Sequence, residues 1–285
     1  MIPASFEYTR AASLRDALTA LAGGEGSKVL AGGHSLIPMM KFRLAQPGRL
    51  IDIAHLNELK GVAEYRRGAR VGALTTYREI LESDLLHERF PILAEVTEGI
   101  GDVQVRNRGT IGGGVAHADP ASDMPAVMTA LAASFTLRSK KGKRVVPARE
   151  FFQGAFTTAL AEDELLMEIV LPPMPRGAGS AYVAFNQAAS GYALVGAAAV
   201  VGRTRRTVNH AVVALTGLAE PARIVSAADQ LVGTKGEREA IAQVAAAAPE
   251  GLEIQGDVHA PAPYRRHLVT VATRDALTKA LERAK

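Results

Sequence analysis

The first fifty-five residues consist of short apolar runs separated by glycines, a pattern that predicts a small α/β unit. Leucines at helical spacing follow Ser13, and serine commonly caps a helix N-terminus, so a helix is predicted to begin there. Further apolar runs predict strands over 28–31 and 49–53, with a helix over 36–43 between them. A glycine pair at 32–33 therefore joins a strand to a helix.

The pattern between residues 57 and 171 changes from strands to helices and back to strands. In chain order it predicts strands over 62–65 and 70–72, helices beginning at Thr75 or Thr76 and at Pro91, a helix over 124–132, a hairpin of 135–137 with 144–146, and a strand over 165–171. The segment 102–119 has no clean period and contains four glycines, so the pattern predicts no regular element there.

A proline-rich segment, 171–177, is the clearest linker in the chain. It carries three prolines in four consecutive positions, which disfavours both a helix and the interior of a sheet. We place a domain boundary there. The predicted first domain covers 1–175, with subdomains of about 1–56 and 57–175, and the second covers 176–285.

The second domain shows apolar runs first and helical patterns afterwards. The predicted strands and helices are strands over 182–185, 194–201 and 208–215, followed by helices over 224–231, 237–247 and 264–284. This order predicts a smaller α+β domain in which the helices cover one face of an antiparallel sheet.

Composition adds exclusions rather than a function. The net charge is +4, and the densest basic clusters, 140–144 and 203–206, lie between apolar runs, where hairpin turns are expected rather than a nucleic-acid surface. There is no cysteine, which excludes disulfides, cysteine-ligated metals and a thiol nucleophile within the chain. No apolar stretch has the length of a membrane span and no secretory signal is recognisable, so a cytoplasmic location is expected.

Candidate chemistry lies in two glycine-rich stretches. The first glycine loop, residues 31–35 with the sequence AGGHS, follows a predicted strand, and its backbone N–H groups could converge on an anion such as a pyrophosphate. A structural turn is the alternative. The stretch matches neither the Walker phosphate-binding loop, because no Gly-Lys-Ser/Thr follows, nor the GxGxxG dinucleotide fingerprint.

The second glycine segment is residues 110–114, with the sequence TIGGG. Its three glycines lose much conformational entropy on folding, so their backbone is expected to lie close to other atoms that would exclude a side chain. Asp123 follows shortly after, at the start of a predicted helix. Its carboxylate could cap that helix or accept hydrogen bonds from a ligand, and the sequence leaves both readings open.

The ordered set AGGHSLIP, TIGGG and DPASDMPA resembles the flavin-bearing medium subunit of the molybdenum hydroxylases, especially the carbon monoxide dehydrogenase type within the wider xanthine dehydrogenase group. The resemblance covers nearly the whole chain. It implies an α+β fold with a two-subdomain FAD-binding domain, like that of vanillyl-alcohol oxidase, followed by a C-terminal flavoprotein domain.

The resemblance also implies which residues hold FAD. The first glycine loop would bind the pyrophosphate, the second glycine segment would approach the diphosphate and ribityl chain, and Asp123 and Tyr192 would lie by the flavin. The implied cofactor-binding residues are Ala31, Gly32, Gly33, His34, Ser35, Leu36, Thr110, Ile111, Gly112, Gly113, Gly114, Asp123 and Tyr192. No catalytic residue and no metal site are predicted in the chain.

The sequence departs from the family pattern in three regions. Gly114 stands where asparagine is usual, which removes a side-chain amide. Before Tyr192 the family commonly has basic residues and a Gly-Asp pair, whereas this chain has Phe185-Asn186-Gln187 and Ser190-Gly191. His117 replaces a smaller polar residue, and either a packed or surface position or a ligand contact is compatible with the sequence.

The resemblance implies an electron-transfer subunit. Electrons would pass from a molybdenum-cofactor large subunit through two [2Fe-2S] clusters of a small subunit to FAD and then to an external acceptor, in a dimer of heterotrimers. A flavin-free structural subunit of such a complex is the alternative. A hydrolase using Ser35 and His34 is disfavoured, because adjacent residues do not easily form the required hydrogen bond.

Overall fold

The computed structural model describes residues 1–24, 26–220 and 222–285. Its first unit contains a three-stranded parallel sheet with strand order β1-β3-β2. The elements are β1 (Glu7–Arg10), α1 (Leu14–Ala22), β2 (Ser27–Leu30), α2 (Leu36–Lys41) and β3 (Arg49–Asp52). The predicted α/β unit is confirmed. Strand β1 was not predicted because all four of its residues are exposed and it shows no apolar alternation.

The second unit contains a five-stranded antiparallel sheet with strand order β4-β5-β10-β6-β7, packed against a layer of short helices. Its elements are β4 (Val62–Tyr65), β5 (Gly68–Gly72), α3 (Tyr77–Leu81), α4 (Asp84–Arg89), α5 (Pro91–Glu98), α6 (Val103–Arg108), α7 (Ile111–His117), α8 (Met124–Ala130), β6 (Ser134–Arg138), β7 (Lys143–Pro147), α9 (Ala148–Phe151), β8 (Phe152–Gly154), β9 (Thr157–Thr158) and β10 (Leu165–Leu171). The predicted strands and hairpin of this region are therefore confirmed.

The segment 102–119 differs from the prediction, because it forms helices α6 and α7. Side-chain caps begin both of them: Asp102 accepts a hydrogen bond from the N–H of Val105, and Thr110 accepts one from the N–H of Gly113. The two helices have six and seven residues. Helices this short, one of them with three glycines, are set by capping and tertiary contacts, so no apolar period reveals them.

The third unit contains a four-stranded antiparallel sheet with strand order β11-β12-β13-β14. Its elements are β11 (Gly179–Asn186), β12 (Ala193–Thr204), β13 (Thr207–Thr216), β14 (Arg223–Ile224), α10 (Arg238–Ala247) and α11 (Ala262–Arg283). Helices α10 and α11 cover one face of the sheet, as predicted. The predicted helix over 224–231 is wrong at its start, where β14 forms, and the remainder is a 3₁₀ turn over Ser226–Leu231.

The opposite face of this sheet packs against the second unit. Along β12, Ala197 and Ala199 contact the helices of their own unit, whereas Ala198 and Val200 join the core of the second unit. The alternation follows from the two-residue period of a strand. The third unit therefore presents one fixed face to helices α5 and α8, and Asp123 lies at the start of α8.

Both basic clusters lie at hairpin turns, between β6 and β7 and between β12 and β13, as predicted. Among the described helices, none combines the length and apolar character needed to cross a bilayer.

Candidate functional site

The first glycine loop presents a row of backbone donors. Gly33 has φ +77°, a left-handed conformation that glycine adopts without strain, and the loop ends at Ser35 just before α2. No described residue accepts a hydrogen bond from the N–H groups of Gly32, Gly33, His34 or Ser35. Four adjacent donors without a protein partner form the arrangement that binds an anion.

The conformation of the first glycine loop is stabilised by the side chain of His34. The His34 ring lies with Nδ1 2.8 Å from the carbonyl oxygen of Gly32, so His34 shapes the loop and is not paired with Ser35. This geometry removes the support for a Ser35–His34 hydrolase. The Ser35 hydroxyl caps no N–H of α2 and remains available to a ligand.

The two glycine-rich stretches meet in space. A Cβ atom added to Gly32 would lie 2.8 Å from the carbonyl carbon of Arg108 and 2.9 Å from Cα of Gly109, immediately before the second glycine segment. Only glycine fits such a backbone contact. A cavity of about 150 Å³ lies at this junction, lined by Ala31, Gly32, Ala54, Lys60, Leu74, Thr76, Asn107, Arg108 and Thr110. The cationic Lys60 and Arg108 were not predicted, since no motif marks them.

The second glycine segment differs from the first because its amides are already bonded. The N–H of Ile111 donates to the carbonyl of Thr75 at 3.0 Å, and that of Gly112 donates to the carbonyl of Ala73 at 2.9 Å. Gly113 and Gly114 donate to the side chain and carbonyl of Thr110. The segment thus forms the first turn of α7, where glycine lets the backbone of Ala73 and Thr75 approach closely. It does not form a second row of free donors.

Asp123 does not cap helix α8, so that reading is wrong. Its carboxylate makes no capping hydrogen bond and instead accepts one from the hydroxyl of Tyr182, on β11 of the third unit. Burial raises the pKa of Asp123 to about 6, and the hydrogen bond from Tyr182 partly opposes that rise. The carboxyl is therefore poised to change protonation near neutral pH.

Three tyrosines surround Asp123. Tyr77 and Tyr182 are buried, whereas Tyr192 is 47% exposed. Partial burial and the negative charges of Asp119 and Asp123 raise the pKa of Tyr192. Tyr77 and Tyr182 were not predicted, because each lies within an ordinary amphipathic or apolar pattern.

The remaining predicted residues have structural surroundings. His117 packs against Phe156 with ring centroids 5.1 Å apart, and burial lowers its pKa while Asp119 opposes that effect. Ile111 is buried in the core of the second unit. Leu36 is the first residue of α2, directly after the loop. His117 is thus the packed histidine that the sequence left as one alternative.

The third unit holds the segment 119–123 in place. The Thr216 hydroxyl donates to the carbonyl of Ser122 at 2.6 Å, and the N–H of Gly217 donates to the carbonyl of Pro120 at 2.9 Å. Glu95, on α5, accepts a hydrogen bond from the N–H of Tyr182 at 2.9 Å. The position of Asp123 therefore depends on contacts between the second and third units.

Replacing Asp123 with asparagine is expected to make stability less dependent on pH. The folded pKa of about 6 exceeds the ordinary 3.8, so the folded state binds the proton more tightly and wild-type stability falls as pH rises through this window. The pKa shift corresponds to about 3 kcal/mol of stability, which the wild type loses as the pH rises and the Asp123→Asn variant does not. Urea unfolding between about pH 4 and 7 measures it, with Asp275→Asn as an exposed control. Parallel pH profiles for wild type and Asp123→Asn would contradict the assignment.

Comparison with known proteins accounts for this arrangement. Residues 4–174 match the family described as the FAD binding domain in molybdopterin dehydrogenase, and residues 180–280 match the CO dehydrogenase flavoprotein C-terminal domain. The carbon monoxide dehydrogenase medium chain of Hydrogenophaga pseudoflava is 39% identical, with 99% of each chain covered. The glyceraldehyde dehydrogenase medium chain of Sulfolobus acidocaldarius is 38% identical, covering 97% of this chain and 98% of its own.

The fold of this chain also matches that of solved relatives. A solved structure of carbon monoxide dehydrogenase from Hydrogenophaga pseudoflava, lacking the Mo-pyranopterin moiety, superposes with a TM-score of 0.97 at 39% identity, and all of both chains is covered. The departures at Gly114, Asn186 and Gln187 thus occur within a conserved architecture. The chain belongs to the family of FAD-binding medium subunits of molybdenum hydroxylases, oxidoreductases that include carbon monoxide dehydrogenase.

Proposed function

We propose that the first glycine loop binds the pyrophosphate of FAD. The observation that carries this proposal is the row of four N–H groups, from Gly32 to Ser35, that no described residue satisfies. Gly32, Gly33 and Ser35 are partly buried, and donors without partners are costly there, so a ligand with anionic oxygens is the natural acceptor. The cations Lys60 and Arg108, which line the adjoining cavity, add charge of the right sign.

The rest of the cofactor is assigned to the path along the second glycine segment. Gly113 is exposed at the start of α7 and carries no side chain, so the ribityl chain can pass close to the helix backbone there. Asp123 and Tyr192 then lie at the flavin end. FAD supplies reversible uptake of electrons when bound, whereas this chain binds it, orients it and sets its electrostatic surroundings.

We further propose the chain's place in a larger enzyme. Its relatives are medium chains of dehydrogenases, which supports partners that carry the molybdenum cofactor and two [2Fe-2S] clusters, in a dimer of heterotrimers. The absence of cysteine from this chain is consistent with iron–sulfur clusters held elsewhere. Electrons would reach FAD from those clusters and leave to an external acceptor. The boundary between the FAD-binding and C-terminal domains is proposed at residues 175 and 176.

The substrate is proposed to be chosen by the large subunit. Relatives named for carbon monoxide and for glyceraldehyde are 39% and 38% identical to this chain, so the medium chain does not separate the two. None of the groups around Asp123 is assigned a role in oxidising the substrate.

The test of FAD binding is the visible spectrum of the purified chain, alone and with its partner chains. We expect flavin absorption bands, and extraction with acid should release about one FAD per chain. A flavin-free structural subunit is the second candidate, favoured by the missing side-chain amide at Gly114. Absence of flavin from the intact complex would establish that second candidate and overturn the first.

A further inference from the structure

Gly114 and Tyr77 are sterically matched. A Cβ atom added to Gly114 would lie less than 3.0 Å from the hydroxyl oxygen of Tyr77, and 3.6 Å from the ring carbon that carries it. The first separation is one that real Cβ atoms essentially never show, whereas the second is an ordinary contact. The Tyr77 hydroxyl therefore occupies the space of the side chain that Gly114 lacks.

The direction of this hydroxyl is fixed by the elements around the ring. Tyr77 is the first residue of helix α3 and lies within the capping box that Thr76 and Glu79 form. Its N–H donates to the carbonyl of Gly109 at 3.0 Å, and a Cβ atom added to Gly109 would lie 3.1 Å from the edge of the ring. With only 6% of the residue exposed, the ring has little freedom to turn away.

The hydroxyl has no partner within the described part of the chain. No described residue donates a hydrogen bond to it or accepts one from it. Burial raises the pKa of Tyr77, and the negative charge of Asp123 and the nearby Tyr192 raise it further, so the group stays protonated at neutral pH. It is thus a donor without a protein partner that is within electrostatic reach of Asp123 and Tyr192, at the site assigned to the flavin end of the cofactor.

We propose that Tyr77 is a cofactor-contacting residue whose hydroxyl donates a hydrogen bond to FAD, in place of a side-chain amide at position 114. The proposal rests on the FAD site assigned above and deepens it. Glycine is required at 114 because the hydroxyl of another helix fills that space. The two positions should therefore act as one unit, and changes at them should not be additive.

The first test removes the hydroxyl alone. In the full-length chain stripped of flavin, Tyr77→Phe is expected to weaken FAD binding by about five- to tenfold, the usual effect of losing one neutral hydrogen bond. FAD fluorescence titration gives the dissociation constant, and the visible spectrum of the bound flavin should shift. Tyr264→Phe, in an exposed part of α11, serves as the control and should change neither.

The second test uses the steric match. Gly114→Ala in the wild-type background introduces the clash with the Tyr77 oxygen and should weaken FAD binding by about tenfold or more. In the Tyr77→Phe background the added methyl group meets only the ring carbon at 3.6 Å. The same alanine should there cost about threefold or less.

The outcomes separate the proposal from the function on which it rests. A Tyr77→Phe chain with unchanged FAD affinity and spectrum would overturn the cofactor contact. An equal cost of Gly114→Ala in both backgrounds would overturn the match between Gly114 and Tyr77. A wild-type chain that binds no FAD would overturn the proposed function itself. Thermal unfolding of each variant without FAD identifies any that simply fails to fold, and the double variant then still measures the coupling.

Discussion

Replacing Gly32 with alanine is expected to abolish stable FAD binding. The new Cβ atom would meet the carbonyl carbon of Arg108 at 2.8 Å and Cα of Gly109 at 2.9 Å. Both neighbours are backbone atoms anchored by hydrogen bonds, since Gly109 accepts from Tyr77 and donates to Val105. The first glycine loop must therefore move away from the second glycine segment. We expect FAD affinity to fall by at least about a hundredfold, measured by fluorescence titration.

Gly48→Ala provides the matched control for this prediction. Gly48 lies in the same unit, has no positive φ, and a Cβ atom there would meet nothing within 4 Å. Its replacement should leave both FAD affinity and thermal stability close to wild type. Equal affinity of the Gly32→Ala and Gly48→Ala chains would show that the contact between the two glycine-rich stretches is irrelevant to the cofactor.

Replacing Arg265 with methionine is expected to destabilise the third unit by about 2–4 kcal/mol, because two backbone carbonyls lose their charged donor. Arg265, on α11, is 7% exposed. It donates to the carbonyls of Leu194 at 2.6 Å and Gly217 at 2.8 Å, and to the carboxylate of Asp257 at 2.5 Å. Methionine keeps the apolar stem but leaves these acceptors without their donor.

Arg274→Met is the control for Arg265, because it removes an exposed ion pair with the neighbouring Asp275 and should cost less than about 1 kcal/mol. Chemical denaturation of both variants measures the difference. The effect should extend to the site, since Gly217 also donates to Pro120 in the segment that ends at Asp123. Similar unfolding free energies for the two methionine variants would contradict the role assigned to Arg265.

The hydrogen bond between Arg265 and Asp257 also predicts that the protein becomes less stable in acid. The hydrogen bond from Arg265 lowers the pKa of Asp257 from 3.8 to about 2, and two backbone N–H groups act in the same direction. The folded state therefore favours the carboxylate, and the associated stability is lost as pH falls from about 4 towards 2. Asp257→Asn should flatten this part of the acid unfolding curve. An unchanged curve would show that Asp257 makes no such contribution.

Motifs that depend on local sequence were predicted well. The first glycine loop follows a strand and precedes a helix, and the local spacing of apolar residues was sufficient to place it. The uninterrupted run of small apolar residues in β12 likewise indicated a strand, although not that its two faces pack against different units. Both features are encoded within a few neighbouring residues, which is why the sequence reveals them.

The parts that were missed depend on contacts between distant residues. Tyr182 lies 59 positions from Asp123, yet its hydroxyl is the partner of that carboxylate. Tyr77 and Gly114 belong to different helices. The sequence alone therefore shows only a missing side-chain amide at position 114, and not the Tyr77 ring that lies beside it. No period or motif carries such information, because it arises only when the units pack together.

We expect one FAD to lie across the contact between the first glycine loop and the second glycine segment. A structure of the intact complex at a resolution that shows the flavin tests it most directly. Pyrophosphate oxygens should lie within about 3.2 Å of the N–H groups from Gly32 to Ser35, with the flavin ring beside Asp123 and Tyr192. A flavin bound elsewhere, with those four N–H groups facing only water, would contradict it.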